Sequence, residues 1–539
     1  MNLPSKPSAG LQDWADGFLK NHDPHSLFAI DAIWRDYLAI SWDLQSFEGL
    51  EEISNALPMH IGGDLSIIET LSPHEIIFSF TGAHGAVKAL AEIQDGLCVR
   101  LFTSLEDMHS LTAHGNDRPE ILIIGAGQSG LALAAQLQRL GVPYLVAEQN
   151  EHIGDNWRKR YDSLILHDPV WVNHLPFKPF PEDWPTFTPK DKMGDWLEEY
   201  AKTLHLNVKC DFIISSASFD EKSSLWQVIA DHDGRTTSFA VPHIVFAVGT
   251  SGFAHTPQIE GADLFDGKQM HSSAFRSGAE FTGQSVTIIG ATNSAHDIAV
   301  DLDKHGAKPT LIQRSSTHVV PHQVYVEKIL APLYGPEQNR SLSDADFLSV
   351  ATPMRQLETK GRAIFDTAQQ TWKDFYQRLE NTGFAIDFAE DGSGIVGKYR
   401  RSASGYYIDV GGSQYVIDGR ISVKNGVGIT SVNASGVTLT DGSHLSSDAI
   451  IYATGFGSME EWVARIIDQE TADKIGKCWG YGSGYRGDLG PWEGELRNMW
   501  KPTAQQGLWF MGGNLAQVRI YSRYLAMQLC HHIKETQKI

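Results

Sequence analysis

The chain has 539 residues, of which 42% are hydrophobic and 20% charged, which is enough apolar material for several packed domains. Its formal net charge of −21 disfavours nucleic acid and anionic membrane surfaces as partners, because both repel an acidic protein. The four cysteines are far apart in sequence, which disfavours a disulfide framework, a dithiol redox centre and a cysteine metal site; we expect no metal.

Residues 1–115 are predicted to form a small α+β domain. Apolar residues recur with helical spacing over 11–20 and 27–38, and strand-like segments follow at 65–70, 75–80 and 97–102. The polar stretch 114–119 predicts a linker. The first residues show no secretion signal, and no apolar run is long enough for a membrane span, so we expect a cytoplasmic protein that does not enter a membrane.

A dinucleotide-binding βαβ unit is predicted directly after the linker. A short apolar strand at 121–124 leads into a GxGxxG turn and then a helix. The first glycine allows the tight turn, the second lets a pyrophosphate approach the backbone, and the third lets helix and strand pack closely. The helix N-terminus is expected to hold the pyrophosphate. The expected binding residues in this turn are Gly125, Gly127, Gln128, Ser129 and Gly130.

The same unit recurs later in the chain, where a strand at 286–289 leads into a second helix. Thr292 and Ala295 replace the second and third glycines of the turn, so the motif is weaker there. The expected binding residues are Gly290, Asn293 and Ser294.

Residues of opposite charge end the second strand of the two units. Glu148 can accept a hydrogen bond from a ribose 2′-hydroxyl and repels a 2′-phosphate, whereas Arg314 can bind a 2′-phosphate. The two units therefore predict two different dinucleotides, FAD at the first site and NADPH at the second.

These patterns predict an α/β fold with two Rossmann-like domains, one for FAD and one for NADPH, preceded by the α+β domain. The expected boundaries are 118–277 for the first part of the FAD domain, 278–447 for the NADPH domain and 448–539 for the return to the FAD domain. Within them, 346–381 is predicted to be helical, 392–428 β-like, 508–513 a short strand and 519–533 a closing helix.

Four segments carry a family resemblance. Residues 265–275, FDGKQMHSSAF, resemble the FxGxxxHxxx(Y/F) fingerprint of class B flavin-containing monooxygenases, and 153–157 resemble the GGxW loop of that family. Residues 161–181 resemble the plant indole-3-pyruvate monooxygenases, and 453–456, ATGF, resemble the late ATG motif. The first 112 residues are similar to NTF2-like or SnoaL-like domains.

The resemblance implies a flavin-dependent monooxygenase that uses FAD, NADPH and O₂ and oxygenates a small organic substrate through a C4a-hydroperoxyflavin. The substrate could be a 2-oxo acid such as indole-3-pyruvate, or a nitrogen or sulfur nucleophile. Phe275, where Baeyer–Villiger enzymes are expected to have tryptophan, argues against ketone-to-ester chemistry. Further residues expected to contact the cofactors are Gly154, Trp157, Thr454 and Gly455.

Two histidines are the candidates for the catalytic region. We expect His271, the centre of the fingerprint, to position the connection between the domains rather than to act as an acid or base. His167 is expected near the site of oxygenation.

Other functions stay open at this point. An NADPH oxidase that produces hydrogen peroxide would need the same cofactors, and a non-catalytic dinucleotide-binding partner protein would need only the binding sites. A two-dinucleotide disulfide reductase would need a pair of neighbouring cysteines, which the sequence does not have. The N-terminal domain could form a homodimer.

Overall fold

The computed structural model describes residues 9–20, 23–58, 61, 63–108, 118–250, 252–482 and 494–537. The N-terminal unit contains one mixed six-stranded sheet with the strand order β2-β1-β6-β5-β4-β3. Its helices are α1 (Ala9–Leu19), α2 (Pro24–Leu27) and α3 (Leu50–Ala56). Its strands are β1 (Phe28–Tyr37), β2 (Leu44–Glu48), β3 (Ser66–Ser72), β4 (Glu75–Thr81), β5 (Gly85–Gln94) and β6 (Leu97–Met108).

The helix predicted over 27–38 is wrong, because most of this segment is strand β1. The strand pairs antiparallel with β2 and parallel with β6. Trp34 and Tyr37 on it are fully buried, and large aromatic side chains favour strands because they pack well on a pleated surface. Helix α1 and strands β3, β4 and β6 agree with the prediction. The likeness of this unit to NTF2-like domains stays a prediction.

The second unit is a five-stranded parallel sheet with the order β24-β13-β7-β8-β9. Its strands are β7 (Ile121–Ile124), β8 (Tyr144–Ala147), β9 (Val208–Lys209), β13 (His243–Phe246) and β24 (Leu508–Phe510). The helices are α4 (Gln128–Arg139), α5 (Asp155–Arg158), α6 (Lys190–Thr203) and α17 (Leu515–Gln537). An antiparallel ribbon follows β9, formed by β10 (Phe212–Asp220), β11 (Leu225–His232) and β12 (Arg235–Val241).

A second five-stranded parallel sheet, with the order β14-β23-β15-β16-β19, repeats this arrangement. Its strands are β14 (Lys268–His271), β15 (Ser285–Ile289), β16 (Lys308–Gln313), β19 (Ser422–Asn425) and β23 (Ala449–Tyr452), and helix α7 (Asn293–Lys304) follows β15. A small antiparallel sheet consists of β20 (Ile429–Asn433), β21 (Gly436–Leu439) and β22 (His444–Ser446).

The two sheets correspond strand by strand, with β15 and β16 in the places of β7 and β8. The predicted α/β fold with two Rossmann-like units is confirmed. The second sheet extends beyond residues 278–447 on both sides, since it includes β14 and β23. The division of the chain into domains at 277 and 447 stays a prediction.

A largely helical insert connects β16 to β19. Its elements are β17 (His318–Pro321), α8 (His322–Val324), a π-helical segment (Tyr325–Leu330), α9 (Ala331–Tyr334), α10 (Leu342–Ala351), α11 (Met354–Thr371), α12 (Lys373–Glu380), α13 (Ile395–Ser402), β18 (Tyr406–Asp409) and α14 (Gly412–Ile417). Helices α15 (Glu460–Ile466) and α16 (Gln469–Ile475) follow β23. Short 3₁₀ turns lie at Ala262–Leu264, Ser272–Ala274, Gly278–Phe281 and Pro336–Gln338.

The prediction of helix over 346–381 is confirmed by α10, α11 and α12, and the strand and helix predicted at the C-terminus correspond to β24 and α17. The β-like prediction for 392–428 is wrong for much of its length, because α13 and α14 lie there. The glycines that suggested strands serve turns instead, since Gly394, Gly405 and Gly411 all have positive φ.

Buried polar pairs join the N-terminal sheet to helix α17 and the residues before it. The Arg35 side chain forms an ion pair with Glu495 at 2.7 Å, the hydroxyl groups of Tyr37 and Tyr521 are 2.9 Å apart, and Ser104 contacts the Tyr524 hydroxyl at 2.8 Å. The N-terminal sheet is thus packed against the rest of the chain. None of the described helices is long and apolar enough to cross a membrane.

Candidate functional site

The three glycines after β7 have different neighbours. Gly125 has φ +105°, and a Cβ there would lie 2.7 Å from the carbonyl oxygen of Ala247. A Cβ on Gly130 would collide with the carbonyl of Gly125. At Gly127, the one described atom within 4 Å of an added Cβ is Asn156 Nδ2, at 3.1 Å. The first and third glycines therefore allow the turn to pack, while the second leaves its outer side open, as the approach of a pyrophosphate requires.

Glu148, directly after β8, stabilises the glycine turn that follows β7. Its side chain is buried, and Oε2 accepts a hydrogen bond of 2.8 Å from the backbone N–H of Ala126. Oε1 accepts two further hydrogen bonds from Asn150, through its backbone N–H at 2.8 Å and its side-chain amide at 2.7 Å. Because a carboxylate oxygen can accept two hydrogen bonds, Oε2 can still accept one from a ligand hydroxyl.

The loop from Gly154 to Trp157 lies over the first turn. Gly154 has φ +91°, and a Cβ there would collide with the carbonyl of Gly194 in α6. A residue larger than glycine at position 154 would therefore keep the loop away from the helix. The indole Nε1 of Trp157 donates to Oε1 of Gln128, at 3.3 Å. This bond holds the indole against the N-terminus of α4.

The turn after β15 begins with a glycine, as the first turn does, but has Thr292 in the place of Gly127. Gly290 has φ +129°, and a Cβ there would collide with the carbonyl of Ala453. Helix α7 begins at Asn293, whose Oδ1 accepts a hydrogen bond of 2.9 Å from the backbone N–H of Ile408. No described residue accepts a hydrogen bond from the side-chain nitrogen of Asn293, so this nitrogen can donate to a ligand. Arg314 is exposed directly after β16, in the place that Glu148 takes after β8.

His271 joins the end of β14 to the segment after β23. Its Nε2 donates to the carbonyl oxygen of Gly455 at 2.9 Å, and its Nδ1 accepts from the backbone N–H of Ser273 at 3.1 Å. Burial lowers the pKa of His271, so the ring is neutral at pH 7. The Thr454 hydroxyl donates to the carbonyl oxygen of His255. This bond connects the segment after β23 to the loop that contains His255.

One cavity of about 650 Å³ connects the two turns. Gln128 and Trp157 line it from the first unit, and Asn293 and Ser294 line it from the second. The rest of the lining comes from residues 160–173, the helical insert, residues 514–521 and Arg35 of the N-terminal sheet. The cavity is therefore the place where ligands bound at both turns can reach a third molecule.

His167 lines this cavity beside a carboxylate and a phenol. Its Nε2 lies 3.7 Å from Oδ2 of Asp297, and the hydroxyl of Tyr161 donates to the same oxygen at 2.6 Å. Burial raises the pKa of Tyr161, and the neighbouring Asp297 raises it further, so Tyr161 stays protonated and donates. Asp297 lies one turn into helix α7. The three side chains therefore lie close together at the wall of the cavity.

The segment that carries His167 is fastened to the helical insert. The Nε2 of His322 donates to the carbonyl oxygen of His167 at 3.0 Å, and the Tyr325 hydroxyl donates to Oδ1 of Asp168 at 2.7 Å. Burial raises the pKa of Asp168. Tyr325 begins the π-helical segment, a local irregularity that is frequent at functional sites.

All four cysteines lie among the described residues, and all are free thiols. Burial raises the pKa of Cys98, Cys210, Cys478 and Cys530, so each is a poor nucleophile. None of them lines the cavity. A dithiol mechanism therefore has no cysteine at this site.

Comparisons with known proteins identify the family. The model of the family described as pyridine nucleotide-disulphide oxidoreductase matches residues 122–390. An indole-3-pyruvate monooxygenase of Oryza sativa subsp. japonica is 31% identical over 361 residues, which cover 67% of this chain and 82% of the relative. The chain belongs to the flavin monooxygenase family. A probable indole-3-pyruvate monooxygenase of Arabidopsis thaliana is 31% identical over 342 residues, which cover 63% of this chain and 82% of that protein.

Solved structures share the fold of this flavin monooxygenase. A flavin-containing monooxygenase from Stenotrophomonas maltophilia has a TM-score of 0.51 at 18% identity, with 78% of this chain and 100% of that chain covered. The open form of cyclohexanone monooxygenase has a TM-score of 0.55 at 16% identity, with 78% and 88% covered. The family and the α/β fold that the motifs predicted are confirmed.

Only some of the predicted site residues line the cavity. Five predicted residues line the cavity, namely Gln128, Trp157, His167, Asn293 and Ser294. His271, Glu148 and Arg314 lie outside its lining. Sequence reasoning missed Asp297, which helical spacing from Asn293 could have indicated. It also missed Arg35 and Arg400, for which no local pattern gave a signal.

Proposed function

We propose that this flavin monooxygenase uses FAD, NADPH and O₂ to insert one oxygen atom into a small organic substrate. The cavity of about 650 Å³ carries the proposal, because residues from both dinucleotide turns line it. Bound FAD would supply electron transfer from NADPH to O₂, and the protein would supply binding, orientation and exclusion of water.

The first unit fits FAD. Gly127 leaves room for the pyrophosphate, and the N-terminus of α4 at Gln128 and Ser129 offers backbone N–H groups to it. Glu148 keeps one acceptor position on Oε2 for a ribose hydroxyl. Gly125 and Gly130 shape the turn, and Gly154 and Trp157 cover it.

The second unit fits NADPH. The N-terminus of α7 at Asn293 and Ser294 would bind the pyrophosphate, with Gly290 shaping the turn. Arg314 is exposed after β16 and would bind the 2′-phosphate through charge-assisted hydrogen bonds. The opposite charges of Glu148 and Arg314 at equivalent strand ends support the assignment of different dinucleotides to the two units.

Two histidines have different tasks in this proposal. His271 is a positioning residue, since it fixes the Thr454–Gly455 segment relative to β14 through the carbonyl of Gly455. His167 faces the cavity and, with Asp297 at 3.7 Å, would move a proton at its Nε2. The lowered pKa of His271 favours the neutral ring, which donates at Nε2 to the Gly455 carbonyl. The positioning role of His271 therefore requires no proton transfer.

The name of the relatives supports a 2-oxo acid such as indole-3-pyruvate as substrate, and a nitrogen or sulfur nucleophile is the other candidate. A cytoplasmic location, a homodimer and the domain boundaries at residues 115, 277 and 447 stay predictions.

An anaerobic titration tests the proposal. The purified protein should carry FAD, and NADPH should bleach it in the absence of O₂. Admission of O₂ with 2-oxo acids, amines and sulfides should yield one oxygenated product. A colourless protein, or one that NADPH does not bleach, would favour the non-catalytic partner protein. Bleaching followed by hydrogen peroxide alone would favour the NADPH oxidase.

A further inference from the structure

The lining of the cavity is cationic although the chain as a whole is acidic. Among the residues that the structure describes, five cationic side chains and two carboxylates line it. The cations are Arg35, Arg160, Lys328, Lys360 and Arg400, and the carboxylates are Asp168 and Asp297. In a protein with a formal net charge of −21, this local excess of positive charge points to an anionic ligand.

Arg35 and Arg400 differ in how their charge is compensated. Arg35 is neutralised by Glu495, through bonds of 2.7 Å from Nε to Oε1 and from Nη2 to Oε2. Arg400 donates through Nη1 to the carbonyl oxygen of Val396, at 2.9 Å on its own helix. Within the part of the chain that the structure describes, no carboxylate forms an ion pair with Arg400.

Among the described residues, the charged and titratable neighbours of Arg400 include no carboxylate. They are Tyr399, Tyr481 and Tyr521, which are neutral phenols, and Arg35, which repels it. Burial lowers the pKa of Arg400, and Arg35 lowers it as well. The Arg400 guanidinium is partly buried and donates one described hydrogen bond, so its other N–H groups can bind an anion that enters the cavity.

The two carboxylates of the cavity are already bound to other groups. Asp168 accepts from the Tyr325 hydroxyl, and Asp297 accepts from the Tyr161 hydroxyl next to His167. The remaining cations are more exposed than Arg400, and Lys328 lies 3.9 Å from Glu327. Lys360 is exposed and donates to the Thr352 hydroxyl at 3.0 Å, which makes it the main rival.

We infer that Arg400 binds the carboxylate of the substrate, so that this enzyme selects small organic acids with an apolar body. A planar guanidinium with two free N–H groups can bind a carboxylate through two parallel hydrogen bonds. The apolar body would contact the aliphatic lining, which includes Leu357, Ile364, Ile395, Val396 and Ile520. This inference rests on the proposed function for the identity of the cavity as a substrate site, and it favours organic acids over neutral sulfides and amines.

A binding experiment that needs no turnover tests the inference. The probes are 3-phenylpropanoate and the neutral amide of the same shape, 3-phenylpropanamide, titrated calorimetrically into the FAD-containing protein. The unaltered protein should bind the acid more tightly than the amide. In Arg400→Gln the affinity for the acid should fall about ten- to a hundredfold, as expected for a lost charge-assisted contact, while the affinity for the amide stays within about twofold.

Two controls separate the alternatives. Lys360→Gln should keep the preference for the acid, and Arg400→Lys should restore part of it. The unfolding temperature of Arg400→Gln should not fall, because no described carboxylate forms an ion pair with the replaced cation. Equal affinity of the unaltered protein for acid and amide, including binding of neither, would overturn the inference, and so would loss of the preference in Lys360→Gln alone.

The same protein samples show whether the proposed function holds. Bleaching by NADPH without O₂ depends on the two dinucleotide sites, so the unaltered protein should show it whether or not it prefers the acid to the amide. Loss of bleaching in the unaltered protein would contradict the proposed function while the binding data still report on Arg400.

Discussion

The Arg35 guanidinium of the N-terminal sheet forms two hydrogen bonds of 2.7 Å with the carboxylate of Glu495, far along the chain. The side chains of both residues are at most 4% exposed. Arg35 also donates to the carbonyl oxygen of Thr352, at 3.0 Å, and lines the cavity. The N-terminal unit thereby contributes to the wall of the candidate active site.

Arg35→Met should destabilise the folded protein strongly. It removes one partner of a buried ion pair and leaves the Glu495 carboxylate buried without its counterion, which costs about 3–5 kcal/mol. The free energy of unfolding, measured with guanidinium chloride, should fall by that amount. Arg355→Ala is the control, since the Arg355–Glu48 pair is largely exposed and such pairs contribute about 0–1 kcal/mol. Equal losses in the two variants would contradict the assigned role of the Arg35–Glu495 pair.

Gly127→Val should fold but purify without FAD. The added side chain would occupy the open side of the turn where the pyrophosphate approaches, and only the flexible amide of Asn156 has to move. Absorbance at 450 nm should be lost while the far-UV circular dichroism is kept. Gly130→Val is the contrast, because its side chain would collide with the backbone of Gly125 and should prevent folding. A yellow Gly127→Val protein with stoichiometric FAD would place the flavin elsewhere.

Arg314→Ala should weaken NADPH binding about ten- to a hundredfold and leave NADH nearly unchanged. The loss corresponds to on the order of 1.5–3 kcal/mol for a charge-assisted contact to the 2′-phosphate. Rates of flavin reduction over a range of NADPH and NADH concentrations give both affinities. Lys308→Ala, at the opposite end of the same strand, should alter neither. If the NADPH/NADH preference survives in Arg314→Ala, another residue recognises the phosphate.

His271→Ala should uncouple NADPH use from substrate oxygenation. The variant loses the bond to the Gly455 carbonyl and the acceptor for the Ser273 N–H, so the segment after β23 is held less firmly. A larger share of the electrons from NADPH should then appear as hydrogen peroxide. The matched control is His255→Ala, because the exposed His255 contributes backbone rather than side-chain bonds to this region. Unchanged coupling in His271→Ala would show that the ring does not position this segment.

The sequence was most informative where backbone geometry restricts residue choice. Gly125 and Gly130 could be predicted because no other residue fits their turns. The roles of Glu148 and Arg314 stay predictions, based on the rule that the charge after a second strand selects the dinucleotide. The strand at Phe28–Tyr37 was missed because its apolar spacing also fits a helix, and pairing with β2 and β6 decided its conformation. Arg35 and Arg400 reach the cavity only through long-range packing, which no local pattern records.

Incorporation of labelled oxygen tests the central claim most directly. The FAD-containing protein should be supplied with NADPH, ¹⁸O₂ and, in separate reactions, 2-oxo acids, amines and sulfides, and the products analysed by mass spectrometry. We predict a product that carries one ¹⁸O atom, formed in proportion to the NADPH consumed. Full recovery of the electrons as hydrogen peroxide, with no ¹⁸O in any organic product, would contradict the assignment and favour an NADPH oxidase.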